Sequence, residues 1–334
     1  MTVRVGIIGT GIMGTDHARL LCTAVSGATL AAVSDVDTER AAAVARAYPG
    51  VRVLAEPAEL IADGGVDAVL IASSDQTHEE YVLACLDRRR PVLCEKPLAP
   101  SVAGCRRILA AETGVGTRLV SVGFMRRYDP GYLELRDTLR DGRIGAPLLL
   151  HCVHRNPSAP PGVTGAEVIT NSAVHELDAS RWLLDDEIAT VRVHAPRQGG
   201  APHQPGPLFL VLETAGGVLV DAEVYVTARY GYEVRCELVG DAGTVTLDAP
   251  PATVLRRDGG YRRGLPMDWR PRFAGAYRRE LQDWIDAVRA ARPWSGASAW
   301  DGYAATAVAQ AGVTALASCA PTTVDLDPRP AFYR

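Results

Sequence analysis

The chain has 334 residues, a hydrophobic share of 47%, a charged share of 22% and a formal net charge of −4, which suits a soluble protein of about two domains with a substantial core. Mild acidity and the lack of any basic block argue against nucleic acid or an anionic membrane surface as the main partner. The first residues run straight into a strand-like stretch without a charged leader, and the seven cysteines are scattered without a CxxC pair or a zinc-type cluster; the expectation is a cytoplasmic protein with reduced thiols and no metal site.

The apolar, β-branched run Val3–Ile8 breaks into Gly9-Thr10-Gly11-Ile12-Met13-Gly14, and a helical pattern follows over 16–22. Strand, glycine turn and helix in that order form a dinucleotide-binding fingerprint, in which the backbone can approach a pyrophosphate held by the helix N-terminus. A strand over 29–33 ends in Ser34-Asp35. A carboxylate there can accept hydrogen bonds from an adenosine ribose and repels a 2′-phosphate, so NAD is expected rather than NADP. Gly9, Gly11, Ile12, Met13, Gly14 and Asp35 are the first candidate cofactor contacts.

Alternation continues with a helix over 38–48, a strand over 51–54, a short helix opened by Glu56-Pro57 and a buried-type strand over 66–72 ending in Ser73-Ser74-Asp75. A helix over 77–88, with Thr77 as expected N-cap, leads to a strand over 92–94. This spacing predicts a parallel, doubly wound sheet whose ligands sit at the carboxyl ends of the strands. Ser73, Ser74 and His78 after the fourth strand, and Glu95 and Lys96 after the fifth, therefore join the cofactor candidates. Lys96 is the only lysine among 35 Lys and Arg residues. An ammonium is a compact donor that can release a proton when desolvated, which a guanidinium does not do, so Lys96 is a candidate for chemistry. His17, on the first helix, is expected to be structural.

A helix over 102–112 and a strand over 119–124 end in Met125-Arg126-Arg127-Tyr128-Asp129-Pro130, and a helix over 132–140 follows. From residue 146 the texture changes to two-residue alternation at 148–153, 190–194, Leu208–Thr214, 218–225, 232–239 and 244–247, with Gly216-Gly217 and Asp241-Ala242-Gly243 as turn signals. The expectation is a Rossmann domain over 1–124 and an α+β domain over 125–334 with a large open, mainly antiparallel sheet. One helix interrupts the strands at 173–184. Two more occupy 277–290 and 304–318, and a C-terminal helix is expected to pack back on the first domain. The Pro/Gly-rich span 195–207 reads as a mobile loop. Asn171 and His175, four residues apart, are expected on one helix face, with Asn171 also able to cap. His154 and Asn156 alternate on a strand and share a face.

The glycine turn at 9–14, Glu95-Lys96-Pro97 and Asn171-xxx-His175-xx-Asp178 together resemble the glucose–fructose oxidoreductase / inositol dehydrogenase / rhizopine catabolism (Gfo/Idh/MocA) family of NAD(P)-dependent sugar and cyclitol dehydrogenases, over essentially the whole chain. The resemblance implies oxidation of a secondary alcohol of a cyclic polyol, myo-inositol or a close cyclitol, with the hydride passing to nicotinamide. It further implies His175 as general base, Lys96 on the reacting oxygen and Asn171 as the orienting group. Lys96, Met125, Arg126, His154, Asn156, Asn171, His175, Tyr232 and Tyr277 are the implied substrate contacts, in a homo-oligomer that is a dimer or tetramer. The family pattern has aspartate where this chain has Asn171, which leaves the substrate open. A pyranose, an anhydrosugar or an aminocyclitol is an alternative, and so is an NAD-binding sensor with an impaired site.

Overall fold

The computed structural model describes residues 2–196, 206–247 and 254–334, so most of the span 195–207 lies outside the described residues. The chain forms two compact units, one made of Met1–Met125, Ala276–Thr306 and Asp327–Arg334, the other of Arg126–Gly275 and Ala307–Leu326.

The first unit alternates β1 (Val3–Ile8), α1 (Ile12–Thr23), β2 (Ala28–Ser34), α2 (Thr38–Ala47), β3 (Arg52–Val53), α3 (Pro57–Ala62), β4 (Ala68–Ile71), α4 (Asp75–Asp87), β5 (Val92–Glu95), α5 (Val102–Val115) and β6 (Val120–Gly123). Its six strands pair in the order β3-β2-β1-β4-β5-β6, all in parallel. This is the doubly wound order with its switch point at β1 and β4. Every residue of β4, β5 and β6 is buried, as a parallel sheet covered on both faces requires. The exposed edge of β6 is capped by a later segment: Val122 N–H donates to the Ala297 carbonyl at 2.9 Å. One expectation is corrected. α4 starts at Asp75 with Ser74 as its N-cap residue, and Thr77 lies in the first turn, where its hydroxyl donates back to the Ser74 carbonyl at 2.8 Å.

The second unit begins at Arg126, within the 3-10 turn Met125–Tyr128, and continues with α6 (Pro130–Arg140), β7 (Pro147–Arg155), α7 (Gly165–Glu167), a π-helical turn over Val168–Ala173 and α8 (Val174–Leu184). Then follow β8 (Ile188–His194), β9 (Leu208–Thr214), β10 (Leu219–Tyr225), β11 (Glu233–Gly240), β12 (Gly243–Leu247), the hairpin β13 (Val254–Arg257) and β14 (Gly260–Arg263), and β15 (Thr322–Thr323). Seven strands form one sheet in the order β12-β11-β7-β10-β9-β8-β15. Its pairs are antiparallel except β7 with β10. Leu208, Leu210 and Leu212 pair with Val224, Ala222 and Val220 on the buried face. The opposite face carries Phe209, Leu219 and a charged ladder around Arg155 and Glu223.

The helix expected over 173–184 is longer and less regular. Thr164 and Glu167 form a capping box at its start, and α8 has no side-chain cap of its own. Asn171 therefore sits inside a widened helical turn rather than at a helix cap. The hairpin at 254–263 carries no apolar alternation, since all eight of its strand residues are exposed.

A buried carboxylate closes the first unit. Glu112 is 0% exposed and accepts from the Leu119 and Val120 N–H groups at 2.6 Å each and from the Tyr333 hydroxyl at 2.6 Å. Glu112→Ala strands three donors, so it is expected to cost about 3 kcal/mol and to lower the thermal midpoint by roughly 5–10 °C. Tyr333→Phe should cost about 1 kcal/mol. Calorimetry checks both, and equal midpoints for the two variants would contradict the assignment.

Candidate functional site

Steric exclusion builds the glycine turn in the first unit. Gly9 has φ +90, and a Cβ there would strike the Ala72–Ser73 peptide, while a Cβ on Gly14 would overlap the Gly9 carbonyl oxygen. At Gly11, in contrast, a Cβ would meet nothing within 4 Å. Gly11 is the N-cap residue of α1 and brings no side-chain cap to its first N–H groups, and Ile12 is exposed, with Met13 half-buried. Open backbone next to uncovered N–H donors fits a pyrophosphate.

Asp35 directly follows β2 and bonds to Thr10 of this turn. Its Oδ2 accepts from the N–H and the hydroxyl of Thr10 at 2.6 and 2.9 Å, and its Oδ1 accepts from the Asp37 N–H at 2.8 Å and Arg40 Nη2 at 3.1 Å. Burial pushes this carboxyl up, but the donors outweigh it and hold the group below its ordinary value. Arg40 is the half-exposed partner, and hence the one that a ribose hydroxyl can displace.

At the end of β5, Glu95 Oε1 lies 2.7 Å from Nε2 of the buried His17, and its Oε2 accepts from the Lys96 N–H at 3.2 Å. Burial again raises this carboxyl, and His17 with Lys96 brings it below its ordinary value. Tyr277 stands edge-on to the His17 ring at 5.8 Å. The Lys96–Pro97 peptide is cis, and the Pro97 carbonyl lies 2.7 Å from His78 Nδ1, whose Nε2 lies 3.3 Å from the Ser73 carbonyl. His78 is thus buried between two carbonyls and ties the end of β4 to the end of β5. Ser73 bonds the Thr77 hydroxyl at 2.8 Å.

The second unit holds a separate group of candidates around α8. The 3-10 turn presents Arg126 and Arg127 to two carboxylates of that helix. Arg126 Nη1 donates to Glu176 Oε1, and Arg127 grips Asp178 through two bonds of 2.6 and 3.0 Å. Arg126 is 2% exposed and Glu176 0%. Burial opposes ionisation of Glu176, yet Arg126 and His154 hold it below its ordinary value. His154 Nδ1 lies 3.1 Å from Glu176 Oε2. Its ring is 6.2 Å from that of the buried His175 and 5.8 Å from that of Tyr232. Burial pushes the Tyr232 hydroxyl up to about 12. Asn156 Oδ1 is buried without a hydrogen-bond partner, and so can accept from a ligand. Asn171 is exposed on the π-helical turn.

The second unit thus groups His154, His175 and Tyr232, whereas Arg126, expected on substrate, is sealed in behind them. Met125, of the first unit, is likewise buried. Sequence reasoning missed Glu176 and the His17–Glu95 pair. The available signal was chemical: α8 places His175, Glu176 and Asp178 within four residues of a helix that is otherwise largely apolar, and buried charges need named partners. Among the described residues no group of three or more His, Cys, Asp or Glu is arranged to hold a metal ion.

Against known families, an oxidoreductase-family domain described as an NAD-binding Rossmann fold matches residues 3–124, and the same family's C-terminal alpha/beta domain matches residues 136–324. The chain belongs to the Gfo/Idh/MocA oxidoreductase family. Its Rossmann unit is NAD-binding, and the glycine turn with Asp35 fits that cofactor. Among Gfo/Idh/MocA relatives, inositol 2-dehydrogenases 1 and 2 of Saccharopolyspora erythraea are 52% and 50% identical, over 100% of this chain and 99% and 98% of their own. A myo-inositol dehydrogenase from Lactobacillus casei, solved in complex with NAD(H) and myo-inositol, superposes with a TM-score of 0.96 at 36% identity, covering 100% of both chains. A scyllo-inositol dehydrogenase from the same species, at 21% identity and a TM-score of 0.91, shares the fold.

Asp35→Ser is expected to raise the Kd for NAD about tenfold, the weight of one or two hydrogen bonds, while the Kd for NADP falls; calorimetric titration with both dinucleotides reads the two shifts. Asp35, Glu95 and Glu176 all titrate below their ordinary values. Their stabilisation is therefore fully present above about pH 5 and is lost as pH falls through their folded-state values. Thermal midpoints should be level from about pH 7 to 5 and fall steeply below about pH 4; a midpoint constant to pH 3 would contradict this.

Proposed function

We propose that the protein oxidises one secondary hydroxyl of myo-inositol, or of a close cyclitol, to the ketone with NAD. The observation that carries this reading is the identity of 50% and 52% to two inositol 2-dehydrogenases along the whole chain. When bound, NAD supplies the nicotinamide ring that takes the hydride. In this reading the ammonium of Lys96 donates a hydrogen bond to the reacting oxygen and stabilises the alkoxide charge that develops there. His175 takes the hydroxyl proton, since an imidazole is suited to gain and lose a proton near neutral pH. Asn171 orients the substrate or His175 by hydrogen bonding, and as a neutral amide it adds no charge to stabilise the imidazolium. His154, Asn156 and Tyr232 contact the polyol ring, and Met125, Arg126 and Tyr277 are the further substrate residues that the family resemblance implies.

A second copy of the chain is the proposed partner of the open sheet face, where Phe209 is 42% exposed and Leu219 46%. No described helix is long and apolar enough to cross a membrane. All seven cysteines are free, which suits the reducing cytoplasm.

NADH absorbance with a panel of inositols, glucose and aminocyclitols tests the reaction, with the highest kcat/KM expected for an inositol. Lys96→Ala should lower kcat by about 10²–10³ and leave NAD affinity within a few-fold. Tight NAD binding with no polyol oxidised would defeat the proposal. Asn171→Asp should keep or raise the hydride-transfer rate; a large loss would show that Asn171 is not a weakened carboxylate. Leu219→Arg should shift the sedimentation of the assembly toward smaller species.

A further inference from the structure

Glu176 follows the proposed base in sequence, yet its carboxylate serves other groups. Oε1 accepts from Arg126 Nη1, and Oε2 lies 3.1 Å from His154 Nδ1. The same Nδ1 is 3.4 Å from Arg126 Nη2. A guanidinium can only donate and an ionised carboxylate can only accept. Nδ1 therefore has one donor and one acceptor before it, and can satisfy only one of them. If protonated it donates to Glu176; if bare it accepts from Arg126. The carboxylate is closer, its bond is charge-assisted, and a bare Nδ1 lone pair would face a carboxylate oxygen at 3.1 Å. The proton belongs on Nδ1. In the neutral ring Nε2 is then a lone-pair acceptor, and among the described residues it has no hydrogen-bond partner. Asn156 Oδ1, two residues further along, is a second buried acceptor without a donor.

We propose that Glu176 is a positioning residue that holds the His154 proton on Nδ1, so that Nε2 accepts a hydrogen bond from one substrate hydroxyl and His154 selects for a donor at that ring position. The substrate half of this proposal rests on the inositol reading above; the half concerning the proton does not. A ring position bearing fluorine or hydrogen leaves Nε2 without its donor, and the lost hydrogen bond disfavours such an analogue by about tenfold. Glu176→Gln makes a specific change. Arg126 needs an acceptor and so claims the amide oxygen, which turns the amide NH2 toward His154. Nδ1 must then accept, and the proton moves to Nε2.

Two measurements test this. In unliganded protein carrying ¹⁵N-histidine, long-range ¹H–¹⁵N spectra, with the His154 signals identified by their loss in His154→Phe, should show Nδ1 protonated and Nε2 bare. Glu176→Gln should invert that pattern, and Glu176→Asp, which keeps the charge, should restore it. In kinetics with monofluoro- and monodeoxy-inositols, substitution at one ring position should raise KM about tenfold with kcat little changed. Glu176→Gln should raise KM for the parent to a similar degree and abolish the penalty for fluorine at that position. A proton on Nε2 in the wild type overturns the proposal. So does a loss in kcat at unchanged KM in Glu176→Gln, or equal KM for all analogues. Should Glu176→Gln fail to fold, the wild-type spectrum and the analogue series decide alone. If no inositol is oxidised, the substrate reading fails by itself, and the spectra still decide the role of Glu176.

Discussion

Two consecutive arginines buried against two carboxylates of one helix set the arrangement of the second unit. Arg126 meets Glu176 and Arg127 meets Asp178, with all four side chains nearly sealed from solvent. A third pair, Arg272 with Asp129, lies close by. Removing such ions from water costs several kcal/mol each, and the cost is offset only when every charge finds a well-formed partner. One residue of slippage in α8 would break both of the first two pairs at once. The turn at Met125–Tyr128 and the helix Val174–Leu184 are therefore locked in one register. His154 on β7 is drawn into the same network through the second oxygen of Glu176, and His175 takes its place on the helix that the ion pairs hold.

The first unit uses the same device on a smaller scale. Glu95 is ionised within a buried strand end because His17 supports it from α1. That contact joins the helix after the glycine turn to the residue just before Lys96. On the other side, His78 fixes the Pro97 carbonyl. Lys96 is the only lysine in the chain and is held at both of its sequence neighbours by buried histidines. The residues on both sides of Lys96 are thereby anchored, which suits a side chain that must present a point charge in a set position.

Much of this was legible in the residues. The glycine turn with Asp35, the alternation through Cys94 and the isolated lysine are local patterns, and the parallel sheet follows from them through the handedness and short connections of βαβ units. Two-residue alternation also announced the open sheet. Other features escaped because their causes are not local. The parallel pairing of β7 with β10 depends on where a long connection returns. The π-helical turn that holds Asn171 has the same composition as an ordinary helical turn. The exposed hairpin β13–β14 lacks any apolar face to reveal it. Thr77 has the chemistry of a cap, but competes for the position with Ser74 three residues earlier.

The family, the NAD-binding turn and the identity of the chemically able side chains can be read from the residues, because glycine, lysine, histidine and carboxylate chemistry is carried by single residues and short spacings. Which of those side chains act as partners depends on how the chain folds. Arg126 reads in sequence as a contact for a polyol, and in space it is enclosed with Glu176, Tyr132 and Phe273. Glu176 reads as an ordinary helical glutamate, and in space it becomes the group that sets the proton on His154. Burial turns a charge that water would otherwise solvate into a demand for a specific partner, and that partner is chosen by packing between segments distant in the chain.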